Sequence, residues 1–270
     1  MRPLDELAEI AQKAVSIGDD LIKHTRPEVV TEKSDRDTYT DVDVRIERAV
    51  RAYLAEATPE IGFVGEEEGS SEQAAGSEHF WTLDPIDGTA NFVHGIPLCG
   101  VSLALTNADR AIVAAIVLPY MGLHYSAVEG RGAHVNGHAI HVSKTTELPK
   151  SMIAIGDYAT GEDSDEKNNQ RIALTAALAA KVERIRMFGS AAHDLAWLAE
   201  GRIDGAVILS NKTYDIAAGV LIAREAGALV LDSTGVEHTF ESAHTIATAP
   251  GVAKNLLALI QQGIKLNPTT

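Results

Sequence analysis

Two aspartates three residues apart, Asp84 and Asp87, flank a proline and precede a glycine and a threonine in the stretch WTLDPIDGTANF, residues 81–92. The apolar residues ahead of them predict a strand. Pro85 has no amide hydrogen and disfavours helical geometry at the residue before it, so the strand is expected to stop at Asp84. Gly88 admits backbone angles that other residues avoid and lets a ligand approach the main chain. Two carboxylates with the Ile86 carbonyl between them could then converge on one hard cation. GTANF can begin a helix whose free amides suit a phosphate. A plainer reading stands beside this one: Asp84-Pro85 opens a turn, and Asp87 or Thr89 caps the next helix.

Other acids sit at comparable places. VGEEEG puts Glu66 and Glu67 after an apolar run, TDVD puts Asp41 and Asp43 at a helix start, and TYDIAAG puts Asp215 at another. Taken singly, Asp41, Asp43 and Asp215 read as helix caps, and Glu67 and Glu68 as solvated charge. Taken together, acids at several element ends are an economical all-oxygen metal site, and no Cys/His set with zinc spacing competes with it. His134, His138 and His141 surround an Asn-Gly turn with no carboxylate or cysteine to complete a site. His193 beside Asp194 reads as helix surface or a packing partner, and Cys99 as a small buried hydrophobe.

The elements that must position these acids fall into two halves. Leu4, Leu7, Ala8, Ala11, Ala14, Val15, Leu21 and Ile22 mark one helical face, and Val42, Ile46, Ala49, Val50, Tyr53 and Leu54 mark a second. Short β-like runs follow, and Asn136-Gly137 predicts a type I′ hairpin. Residues 1–147 are therefore expected to form two helices beside a largely antiparallel sheet. Residues 148–270 alternate strand and helix, which predicts an α/β part carrying Asp215. GEDSDEKNNQ reads as a solvated loop ahead of the helical NNQRIALTAALAA.

The chain has 270 residues, 45% of them apolar, enough for a sizeable core. Its formal net charge of −15 argues against nucleic acid or an anionic membrane as a partner, so an anionic ligand needs a local positive centre such as a metal. A single cysteine and an N-terminus broken by acids fit a soluble cytoplasmic protein.

WTLDPIDGTANFVHGIP, VGEEEG and TYDIAAGVLIAREAGA resemble the inositol monophosphatase family of magnesium-dependent, lithium-sensitive phosphatases. The resemblance covers nearly the whole chain and implies a layered α-β-α-β-α sandwich, two or three Mg²⁺ ions per site, a small phosphorylated metabolite as substrate and a homodimer. It places the metal ligands on Glu66, Asp84, the Ile86 carbonyl, Asp87 and Asp215. Asp43 and Thr89 match the pair that orients the attacking water, with Glu66 also in a catalytic role. The amides of Gly88 and Thr89 match phosphate-binding positions, and Gly189, Ser190 and Ala191 match the segment that approaches the alcohol half.

One departure concerns selectivity. Inositol-cleaving members carry a glutamate seven residues before the aspartate equivalent to Asp215, and here that position is Ile208; Ser210, Asn211 and Lys212 are the candidate replacements. Tyr214 stands where many relatives have tryptophan, a change of aromatic packing. Inositol monophosphate is the expected substrate. Histidinol phosphate, 3′-phosphoadenosine 5′-phosphate and fructose 1,6-bisphosphate are the alternatives within the family, and a regulatory binding protein that keeps the fold is the alternative outside it. A haloacid-dehalogenase-type box fails because its acids are two apart, and an EF-hand fails because Leu83 and Pro85 fall where oxygen ligands are required.

Overall fold

Apolar residues three and four apart put one stripe along α1 (Leu4–His24), and Leu7, Ile10, Ala11, Ala14, Val15 and Ile22 on that stripe are buried. The computed structural model describes residues 2–71, 77–107 and 109–265. A hairpin of β1 (Val30–Ser34) and β2 (Asp37–Thr40) follows α1. Its sequences, VTEKS and DTYT, are mostly polar, so hydropathy gives no sign of it. Thr40 then caps α2 (Asp41–Ala57): its hydroxyl accepts from the Val42 and Asp43 amides while the Asp43 carboxylate accepts from the Thr40 amide. Such a cap is worth roughly 1 kcal/mol.

The first sheet contains β3 (Gly62–Gly65), β4 (Gly69–Ser70), β5 (Phe80–Asp87), β6 (Gly100–Thr106), β7 (Ala111–Leu118), β8 (Leu123–Val128), β9 (Ala133–Val135) and β10 (His138–Ile140). Their order is β10-β9-β8-β7-β6-β5-β3-β4, and only β3 and β5 pair in parallel. Asn136 and Gly137, both at positive φ, turn β9 into β10 as the Asn-Gly pair predicts. Alternation sorts the two faces. Val101, Leu103, Leu105, Val113 and Val117 pack with α1 and α2, where Gly18 allows close approach: a Cβ there would lie 2.6 Å from Val101 Cγ2. Ala104, Ala114 and Ile116 face the opposite way, against α5 (Ala191–Ala199) and α6 (Thr213–Glu225).

The second sheet contains β11 (Met152–Ile155), β12 (Arg184–Arg186), β13 (Gly205–Ile208), β14 (Leu229–Leu231) and β15 (Thr245–Thr248), ordered β12-β11-β13-β15-β14. β11 runs parallel to β12 and β13, while β15 is antiparallel to β13 and β14. Ile153, Ile155, Val207 and Ile246 pack with α4 (Ser164–Ala179) and α7 (Ala253–Lys265) through Leu174, Leu178, Leu256 and Ile260. Ala154, Ala206, Ile208 and Ala247 face α5 and α6 through Leu195, Leu198, Ile216 and Val220. Each fully buried side chain of this size contributes about 1.5–3 kcal/mol. The result is the expected α-β-α-β-α sandwich, with α5 and α6 as the shared central layer.

Two local expectations are corrected. α4 begins at Ser164, inside the segment read as a loop, because Asp165 and Glu166 suit the positive end of a helix. β5 does not stop at Asp84: it pairs again at Asp87 with Gly100, and the register shift between them marks a bulge. Pro85 is tolerated there because a bulge does not require its missing N–H. Among the described residues no helix is long and apolar enough to cross a membrane.

Candidate active site

The bulge at the end of β5 builds the centre of the site. Asp84 pairs with Ser102 across the sheet and is 3% exposed, and its Oδ1 has no hydrogen-bond partner among the described residues. Ile86 buries its side chain in the first core. Gly88, at φ 88°, leads into the short helix α3 (Thr89–Val93); a Cβ there would meet Leu98 O at 2.8 Å and Gly189 O at 3.1 Å, so both angle and space require glycine.

Two more elements bring acids to Asp84. Glu66 follows β3, with its amide donating to Leu83 O on β5, and Asp215 lies in the first turn of α6. One carboxylate oxygen from each of Glu66, Asp84 and Asp215 lies within 4.8 Å of the others. Burial raises the Asp84 pKa well above the ordinary carboxylate value, and repulsion from Glu66, Asp87 and Asp215 adds to it. Burial, reinforced by Asp87 and Glu66, pushes Asp215 up to about 8. An all-oxygen set with a buried, partnerless oxygen and mutual repulsion fits a hard divalent cation.

Asp87 is held differently. Its Oδ2 accepts from Ser190 Oγ at 2.7 Å and from the Ala192 amide, and its Oδ1 accepts from the Ala191 amide at 3.2 Å. The carboxylate thus sits on the N-terminus of α5, which suits its charge. Burial still raises its pKa to about 6, against the lowering effect of those hydrogen bonds. Ser190 Oγ also contacts His193 Nδ1 at 2.9 Å. Because the serine proton goes to Asp87, the histidine must donate from Nδ1, leaving Nε2 buried without a partner among the described residues. Burial lowers the His193 pKa to about 4, which keeps the ring neutral. His193 is therefore a packing and positioning residue, one of the two readings its sequence context allowed.

Thr89 Oγ1 lies 2.9 Å from Ile86 O and 3.3 Å from Asp43 Oδ1, so its one proton has two acceptors within reach. The other Asp43 oxygen is occupied by Thr40, through its amide at 2.9 Å and its hydroxyl at 2.5 Å. Asp43 is wholly buried, and burial raises its pKa to about 6 despite the Thr40 bonds.

Hydropathy missed Lys33. The β1–β2 hairpin delivers its Nζ to Glu66 Oε1 at 3.0 Å and to Glu67 Oε1 at 2.6 Å. Burial opposes the lysine charge, but Glu66 and Glu67 outweigh it and raise its pKa. Glu67 is accordingly no solvated charge: its side chain is 4% exposed, whereas Glu68 pairs with Arg48 nearer the surface. The signal available in the sequence was a lysine in a polar stretch just before the TDVD acids.

Past β13 the wall becomes apolar. Ile208 is 5% exposed among Leu195, Ile216 and Val220. Asn211, one candidate replacement for the hydroxyl-reading glutamate, is fully engaged: its Nδ2 donates to Phe240 O at 2.9 Å, and its Oδ1 accepts from Thr245 Oγ1 at 3.1 Å. Lys212 stays exposed, its Nζ 5.6 Å from the Tyr214 ring centre.

Comparison with known proteins agrees with this geometry. The profile described as the inositol monophosphatase family matches residues 3–265. The chain is 35% identical to Nus factor SuhB of Pseudomonas aeruginosa over 233 residues, 86% of each protein. It is 34% identical to inositol-1-monophosphatase ImpA of Mycolicibacterium smegmatis over 236 residues, 87% of this chain and 84% of the relative. The solved structure of an inositol monophosphatase from Anabaena (Nostoc) sp. PCC 7120 superposes with a TM-score of 0.86 at 27% identity, covering 96% of both chains.

Proposed function

The chain belongs to the inositol monophosphatase family and is a phosphatase of phosphate monoesters, and from that premise we propose that it hydrolyses a small polyol phosphate, inositol monophosphate first, with Mg²⁺. The observation that carries the reading is the convergence of Glu66, Asp84 and Asp215, from three separate elements, on a point where Asp84 Oδ1 has no hydrogen-bond partner among the described residues. Glu66, Asp84, the Ile86 carbonyl, Asp87 and Asp215 would hold two or three ions. Bound there, Mg²⁺ supplies positive charge to the phosphoryl oxygens, acidifies water and stabilises the departing alkoxide.

The chain's own groups do the rest. The Gly88 and Thr89 amides take phosphoryl oxygens. Thr89, when its proton lies on Asp43, presents a lone pair to the attacking water and draws its proton, a contribution of about 10²–10⁴ in rate. Asp43 can accept because Thr40 occupies only its other oxygen. Asp87 ties the bulge to α5, so Gly189, Ser190 and Ala191 face the alcohol half, and His193 holds Ser190 in place. A homodimer in the cytoplasm belongs to the same proposal.

The test is phosphate release, with and without Mg²⁺, from inositol 1-phosphate, histidinol phosphate, 3′-phosphoadenosine 5′-phosphate, fructose 1,6-bisphosphate and glycerol 2-phosphate. Magnesium-dependent turnover led by inositol 1-phosphate and abolished by Asp84→Asn supports the reading; no turnover by folded protein refutes it. One relative carries the name Nus factor. A binding role of that kind would survive Asp84→Asn, which separates it from the catalytic one.

A further inference from the structure

We infer that Asp157, at the end of β11, reads hydroxyl groups on the alcohol half of the substrate and selects neutral polyol phosphates over esters carrying a second anion. This rests on the phosphatase reading of the same site. The end of β13 cannot supply a hydroxyl-reading carboxylate: Ile208 is buried among apolar side chains and Asn211 spends its amide on the 239–245 segment. The neighbouring parallel strand can. Ile155 pairs with Val207, and the Gly156 amide donates to Val207 O, so Asp157 leaves the sheet beside Leu209. The Arg171 guanidinium ties the two strand ends together by donating to Asp157 O and, at 3.0 Å, to Leu209 O. This crevice beyond the carboxyl ends of parallel strands is where open α/β sheets take ligands.

A continuous wall links Asp157 to the phosphate turn. The Cβ position of Gly88 lies 3.1 Å from Gly189 O and 3.3 Å from Ser190 Cβ. The Cβ position of Gly189, at φ 70°, lies 3.3 Å from Asp157 Oδ2 and 3.1 Å from Asn91 Nδ2. Asn91 anchors this segment by donating to Phe188 O at 2.7 Å and Leu98 O at 2.8 Å. Any side chain at Gly189 would crowd the Asp157 carboxylate, and glycine leaves it open. That carboxylate is exposed and makes no side-chain hydrogen bond or ion pair among the described residues.

The chemistry follows from the charge. An ionised carboxylate is acceptor-only, so it binds hydroxyl donors, two at a time where they are adjacent, and repels a second phosphate.

The test is steady-state hydrolysis, with Mg²⁺, of inositol 1-phosphate, p-nitrophenyl phosphate and fructose 1,6-bisphosphate by the wild type, Asp157→Ala and Asp157→Asn. In Asp157→Ala the ratio of kcat/KM for inositol 1-phosphate to that for p-nitrophenyl phosphate is expected to fall roughly 10- to 100-fold, mainly through KM, as loss of charge-assisted hydrogen bonds requires. Asp157→Asn is expected to fall less, and the ratio for fructose 1,6-bisphosphate to rise in both variants. Structural damage would lower all rates together and leave the ratios unmoved, which overturns the inference. A wild type that cleaves p-nitrophenyl phosphate but not inositol 1-phosphate overturns the polyol assignment, and one that cleaves none of the three overturns the phosphatase reading beneath it.

Discussion

Replacing Asp215 by asparagine should make the protein more stable without Mg²⁺ and remove most of the stabilisation that Mg²⁺ gives the wild type. Burial and the neighbouring acids lift the Asp215 pKa from 3.8 to about 8. A carboxyl group whose folded pKa is raised contributes stability that is complete below its unfolded value and is lost as pH rises through the folded one. At pH 7 the loss is about 4 kcal/mol, at about 1.4 kcal/mol per pH unit, and at pH 5 it is about 1.5 kcal/mol. The asparagine side chain cannot ionise, so the metal-free variant should recover up to that amount, read as a Tm higher by about 2 °C per kcal/mol. Mg²⁺ at a hundred times its Kd adds about 2.7 kcal/mol to a chain that binds it. The wild type should gain most of this and the variant little, so on adding Mg²⁺ their melting curves cross at pH 5, where the gap is about 1.5 kcal/mol, and draw together without crossing at pH 7. Thermal unfolding followed by circular dichroism at pH 5 and pH 7, with EDTA or with Mg²⁺, measures all four cases. An Asp215→Asn protein that melts below the wild type in EDTA, or that Mg²⁺ stabilises as strongly as the wild type, would refute the account of the acids as a repelling cluster relieved by metal.

Thr89→Ala should lower kcat by about 10²–10⁴ while keeping the Mg²⁺-dependent rise in Tm, because it removes the water-aligning hydroxyl and none of the carboxylates; kinetics and melting on one preparation check both halves. Gly88→Ala should cost about 1–3 kcal/mol and most of the activity, since it places a Cβ at positive φ and 2.8 Å from Leu98 O; a denaturant midpoint like that of the wild type would contradict the tight turn. His193, wholly buried with a pKa lowered from 6.5 to about 4, contributes stability present above pH 6.5 and lost as pH falls towards 4, about 3 kcal/mol in all. His193→Leu should flatten the stability profile across that window, and urea titrations at pH 4.5 and pH 7 measure it.

Much of the fold was legible because its signals are local. The stripe on α1, the Asn136-Gly137 turn and the strand–helix alternation after residue 150 each depend on neighbours within a few positions, where periodicity and turn chemistry act. The β1–β2 hairpin was not legible, because its polar strands are held by a register with each other and by Lys33 reaching two glutamates from another element. The first turn of α4 was misjudged for a related reason: SDEK looks like a loop until it is seen at the positive end of a helix dipole.

The sequence by itself determined which oxygens are available, since Asp87, Glu66 and Asp215 stand at element ends and Asp84 at the bulge just before one, marked by proline, glycine and apolar runs. Which of those oxygens meet was decided only by the tertiary structure. Glu66, Asp84 and Asp215 converge because β3 pairs with β5 while α6 packs across both sheets, whereas Asp87 turns towards α5 and its amides. The alcohol side divides the same way: Ile208 announced that an acid was missing, but only the parallel pairing of β11 with β13 and a glycine at 189 put Asp157 against that wall. Element ends are set by short-range sterics and hydrogen bonding, while convergence depends on long-range packing, which no single stretch of chain encodes.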